Sequence, residues 1–111
     1  MKLQKVQIVL TVPKTHTKKV LTAIGNAGGG IIGNYSHCSF TLNGIGRFKP
    51  NKDATPFIGK SEKLEEVKED MIQFRCNLKD ARKIITALKK VHPYEELAMD
   101  IHPLLMEEDL P

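Results

Sequence analysis

The stretch KVQIVLTVPKTHTKKVLTAIGNAGGG, residues 5–30, decides the reading of the fold. Its first eight residues alternate. Val6, Ile8, Leu10 and Val12 share one side and Lys5, Gln7, Val9 and Thr11 the other, which is the period-2 pattern of a strand with one buried face. Pro13 ends that strand. The period then changes: Val20, Ile24 and Ala27 recur at i, i+4 and i+7 beside Leu21, which predicts a helix over 15–27 with Thr15 as its N-cap. Gly28-Gly29-Gly30 stops the helix, because glycine enters left-handed backbone freely.

The same unit recurs further on. A second strand is expected from Ile32 to Leu42, with Cys38, Phe40 and Leu42 inward and Tyr35, His37, Ser39 and Thr41 on the other face. Residues 43–63 read as a long Gly/Pro-rich excursion, in which Gly44–Phe48 forms a short hairpin. So long an irregular segment in a small domain points to function or partner contact. A third strand is expected over 67–76 with Ile72, Phe74 and Cys76 inward. Asn77, with Asp80 three residues on, caps a second helix whose stripe is Leu78, Ala81, Ile84, Ile85 and Leu88. Pro93 closes it, and residues 95–102 alternate again through Leu97, Met99 and Ile101.

The order β-α-β-β-α-β defines an α+β fold of ferredoxin-like type, an antiparallel sheet with two helices on one face. The domain spans residues 1–105, and 106–111 form a flexible acidic tail. The other sheet face is left with Val9, Tyr35, Thr41 and Met71, and a half-apolar open face predicts association with further copies.

Composition narrows the function. The chain has 111 residues with 41% hydrophobic and 27% charged side chains, so one modest core fits and a second does not. Residues 1–60 carry nine Lys and Arg against one acid, Asp53, whereas 61–111 carry eight against twelve acids. Without interleaved aromatics the basic half does not favour a nucleic-acid partner. No run approaches a membrane span, and the N-terminus makes a poor signal peptide. Two cysteines make no disulfide framework, which points to a cytoplasmic protein with Cys38 and Cys76 reduced, and Cys38 is expected to be buried and inert.

No nucleophile elbow or phosphate-binding glycine loop stands in a workable context. The four histidines show no metal-ligand spacing, but His37, His92 and Glu95 are the residues from which a metal site would assemble, within a chain or across subunits. Arg47 and Lys49 beside flexible glycine backbone offer an anion site.

Four strings coincide in order and spacing with one family: GNYSHCSF (33–40), GIGRFKP (44–50), PFIGKSEKLEEVKE (56–69) and HPYEELAMDI (92–101). From about Lys5 to Leu104 the chain resembles the central inserted domain of the YqfO family, the dimetal-centre proteins also called NGG-interacting-factor-three-like. The resemblance implies a PII/CutA-like fold that typically assembles as a trimer, favoured here over a dimer. The segments that hold the family's two metal ions have no counterpart among these residues, so its dimetal site maps onto none of them. The implied role is a non-enzymatic regulatory or ligand-binding module that needs no cofactor, in which ligand binding between subunits orders 43–63. Its candidate ligand residues are Tyr35, His37, Arg47, Lys49, His92, Tyr94, Glu95 and Glu96. The alternatives are a divalent-metal-binding or metal-tolerance protein of CutA type and an accessory subunit of a separately encoded dimetal hydrolase-like protein. In one place the sequence departs from the family: Glu62 stands where a second glycine usually follows Gly59.

Overall fold

The computed structural model describes residues 2–111. Strand β1 (Lys5–Pro13) leads through a short 3-10 turn (Lys14–His16) into helix α1 (Thr17–Asn26). Strands β2 (Phe40–Phe48) and β3 (Glu65–Asn77) follow, then helix α2 (Leu78–Val91) and strand β4 (Met99–Pro103). The sheet order is β2-β3-β1-β4 with every pair antiparallel, the ferredoxin-like arrangement.

The core is the apolar phase of β1 and β3 under one stripe from each helix. Val6, Ile8, Leu10 and Val12 pack with Ile72, Phe74 and Cys76 against Val20, Ile24, Ala81, Ile84 and Leu88. The two periodicities read from the sequence therefore meet in a single layer interface. Asp70 stands in the same inward row. It accepts hydrogen bonds from Lys14 Nζ (2.7 Å) and Thr17 Oγ1 (2.7 Å), which ties the start of α1 to β3. The Lys14 bond, then the Thr17 bond, holds its carboxyl below the ordinary 3.8.

Several expectations are corrected. β2 covers 40–48, not 32–42: GIGRF is strand, paired residue for residue with Glu65–Glu69. Residues 31–39 form a loop whose one bridge joins Ile32 to Tyr35. Phe40 and Leu42 share a face as expected, but it is the open one, because they lie opposite Gln73 and Met71, whereas Thr41 lies opposite Ile72 on the helix side. The open face therefore carries Phe40 and Leu42 in place of Tyr35 and Thr41. Cys38 is half-buried rather than buried. Neither Thr15 nor Asn77 caps a helix: α1 begins at Thr17, Thr15 Oγ1 bonds the neighbouring His16 ring, and no side chain caps either helix N-terminus. β4 begins at Met99, with Leu97 packed on the core before it and Ile101 half-exposed. The acidic tail includes a 3-10 turn at Glu107–Asp109, where Asp109 accepts the Met106 N–H at 2.9 Å.

Two glycine-type positions have local causes. Gly30 (φ +82°) donates to Arg75 O and accepts from the Cys38 N–H, so close that a Cβ would enter the Cys38 backbone. Glu62 (φ +62°) adopts the left-handed backbone that a glycine would take without cost.

Beyond Pro13, which pairs with Glu69, β1 gives the sheet no further partner. Residues 45–48 of β2 and 65–68 of β3 continue as a two-stranded arm that ends in the loop 49–64. The arm makes the molecule long, 51 × 26 × 23 Å with a radius of gyration of 15.5 Å, where about 13 Å suits a compact domain of this length.

Candidate functional site

The base of the arm and the segment after α2 build a cleft of about 690 Å³, within the roughly 300–1,000 Å³ of small-molecule sites. Its walls are mostly apolar: Phe48, Pro50, Ala54, Pro56, Phe57, Ile58 and Ala98. The polar groups of the lining are Thr11, Glu69, Tyr94, Glu95 and Glu96, with Arg47 and Lys49 on the arm side and Asn51 and Asp53 further into the loop.

The floor is a connected set of contacts. Glu69 projects from β3 on the open face and is only 6% exposed. Its Oε2 accepts the Tyr94 hydroxyl at 2.6 Å. The carboxylate lies over Gly46, where any Cβ would overlap it, so a strand glycine is needed at that position. Burial, then the bond to Glu69, raises the Tyr94 phenol well above its ordinary 10.0, so the ring stays a donor. Phe48 meets the Tyr94 ring edge to face at 5.9 Å.

His92 locks this corner to the sheet. The Tyr94 N–H donates to Nδ1 at 3.1 Å, which leaves Nε2 to carry the proton and donate to Thr11 O at 2.8 Å. Burial, outweighing the Thr11 bond, pushes His92 below its ordinary 6.5. A protonated ring would lose the Nδ1 acceptor, so His92 acts as a neutral brace with both nitrogens engaged.

Loop 49–64 is fastened over the cleft. Glu95 accepts both the Thr55 N–H (2.9 Å) and the Thr55 hydroxyl (2.8 Å), and these bonds lower its carboxyl. Phe57 sits edge-on to His16 at 5.4 Å, and the Glu62 N–H donates to Pro50 O at 2.6 Å.

The structure thus gathers Arg47, Lys49, Tyr94, Glu95 and Glu96 around one cleft, with His92 behind it. Arg47 also faces Glu66 at 3.5 Å in an exposed pair. It does not bring Tyr35 or His37 there. Tyr35 is 75% exposed on the 31–39 loop. His37 bonds Ser36 and Asn26 at the end of α1, and that loop abuts Arg75, opposite Gln7. His92 sits at Thr11, four strand residues or roughly 13 Å away along β1. Within one chain, then, His37, His92 and Glu95 do not form the metal site considered above. Among the described residues no group of three or more His, Cys, Asp or Glu side chains could hold a metal ion, so the two metal ions of the full-length family find no fitting ligand set here.

Sequence reasoning missed Glu69, Thr11 and Thr55. Glu69 closed one of the family strings yet read as an ordinary strand acid, since its partners lie at positions 46 and 94. Among the described residues no helix is long and apolar enough to cross a membrane.

The fold is of PII/CutA-like type. CutA1 from Shewanella sp. SIB1 superposes with a TM-score of 0.68 over 96% of this chain and 86% of that one, at 15% identity. No protein-family model matches. The chain is 46% identical over 101 residues to the GTP cyclohydrolase 1 type 2 homolog of Halalkalibacterium halodurans, covering 91% of this chain and 27% of that protein. A Bacillus cereus protein related to NIF3 superposes with a TM-score of 0.80 at 40% identity, over 92% of this chain and 26% of that one. The chain therefore carries a domain of the YqfO/NIF3 family and spans about a quarter of the length of the relatives it matches.

Proposed function

We propose that this chain is a non-enzymatic, ligand-binding PII/CutA-like module that assembles with copies of itself. The observation that carries the reading is the cleft, in which apolar walls converge on a buried carboxylate and a tyrosine hydroxyl, under a loop held by few bonds. Such a loop is suited to report occupancy, because a ligand that touches Phe57 or Ala54 changes the surface that 49–64 presents. The lining residues named above all come from one chain.

Association is supported by the open face. Phe40 is 61% and Leu42 46% exposed beside Met71. The chain exposes 7745 Å², against about 6,100 Å² for a monomeric protein of its mass. The trimer implied by the family resemblance would cover part of that excess.

Hydrogen exchange of residues 49–64, with and without a panel of nucleotides, metabolites and divalent metals, tests the reading. A ligand is expected to slow exchange there and at 92–96, and unchanged exchange with every compound would count against it. Service to a separately encoded dimetal protein would appear instead as co-purification with such a protein.

A further inference from the structure

We infer that the cleft takes a small ligand with a flat apolar body that presents a cationic or amidine-type N–H edge to Glu69. This rests on the cleft's being the ligand site and names the chemistry it selects.

Glu69 is more than nine-tenths buried and lines the cleft. Only one of its oxygens is engaged: Tyr94 donates to Oε2, and among the described residues no hydrogen bond reaches Oε1 and no Lys, Arg or His pairs with the carboxylate. Oε1 keeps contact with solvent, and a ligand that displaces that solvent must donate in its place. The counterpart of Glu69, Asp70, one residue on and on the opposite face, is fully served by Lys14 and Thr17. The difference leaves Oε1 of Glu69, which lies against Gly46 in the cleft wall, without a donor among the described residues, in a lining that mixes rings and prolines with Arg47, Lys49, Asp53, Glu95 and Glu96. A ligand N–H supplies the missing donor, a positive charge strengthens it, and the Phe48 and Tyr94 rings favour the same charge. A bare metal ion fits less well, since hard divalent ions take about six or more oxygens and no three candidate ligands gather among the described residues.

The test is a set of ¹⁵N–¹H correlation titrations of the full chain with benzamidinium, its charge-inverted analogue benzoate, neutral benzyl alcohol, and magnesium or zinc chloride. Benzamidinium is expected to shift the amides of Gly46, Phe48 and Tyr94 saturably, with benzoate at least about tenfold weaker. Glu69→Gln should weaken benzamidinium about tenfold and leave benzyl alcohol unchanged. Tyr94→Phe, which frees the second oxygen and keeps the ring, should bind benzamidinium as well or better, and it decides the matter if Glu69→Gln does not fold. Benzoate or a metal ion binding there as tightly as benzamidinium, or a loss of benzamidinium binding in Tyr94→Phe, would overturn the inference while leaving the cleft a ligand site. Silence from every probe would overturn both.

Discussion

The open face of the sheet has two unlike ends. Around Phe40, Leu42 and Met71 it is apolar and bare. Around Gly46 and Glu69, further along β2 and β3 on the same face, it is polar, roofed by Tyr94 and loop 49–64, and hydrogen-bonded to that roof. Strand chemistry alone does not separate the ends. What separates them is the chain laid over each: the segment after α2 and the β2–β3 loop cover one end and nothing in the described chain covers the other. A carboxylate is tolerated where a tyrosine can reach it, and large apolar side chains stay exposed where only another molecule can cover them.

Substitutions can break or sharpen this contrast. The largest effect is expected at Gly46. Gly46→Val drives a branched side chain into the Glu69 carboxylate and should cost about 2–3 kcal/mol in urea denaturation. Gly44→Val is its control two residues away, because a Cβ there meets nothing nearer than Glu69 O at 3.9 Å, and its stability should stay within about 0.5 kcal/mol or rise. Equal losses at both positions would mean that the strand, not the covered floor, demands glycine.

Tyr94→Phe comes next. It keeps the ring contact with Phe48 and removes the donor to Glu69, so a loss of about 1–2 kcal/mol is expected. His92 links the roof to pH. Its folded-state value is depressed below the ordinary 6.5, so the unfolded chain binds the extra proton first. Stability should be intact above pH 6.5 and fall as the pH drops below it toward the folded value. His92→Gln, compared across pH 5–8, should remove that slope, and an unchanged slope would locate it in another group. Smaller still, Glu62→Gly should raise stability by about 0.5–1 kcal/mol by relieving left-handed backbone in the covering loop. At the bare end, Leu42→Lys should change the stability of the fold by less than about 0.5 kcal/mol, yet lower the sedimenting mass to that of a monomer.

The sequence made the helix-covered side legible and the open side only partly so. Alternation in 5–12 and the i, i+4 stripes of α1 and α2 state which side chains are buried, because burial on a helix-packed sheet face has a fixed period. In β2 the same signal misled. Phe40 and Leu42 do share a face, but alternation does not say which face, and Gly44 and Gly46 looked like turn residues when Gly46 was making room for a carboxylate. The site was half legible. Tyr94 and Glu95 were legible as candidate ligand residues because they lie in the HPYEELAMDI string. His92, read as a ligand, proves to be a brace whose acceptor, Thr11 O, lies 81 residues away, a distance no local pattern crosses. His37 drew notice by residue type alone and sits at the far end of the sheet.

The account holds that the covered end is a complete site within one chain while the bare end serves assembly. A benzamidinium titration of wild type and Leu42→Lys, followed at the amides of Gly46, Phe48 and Tyr94 with the mass of each sample recorded, tests both halves at once. The predicted result is an assembled wild type, a monomeric variant, and dissociation constants that agree within about twofold. Binding that disappears with the assembly would contradict it, because the partner would then be supplying part of the cleft.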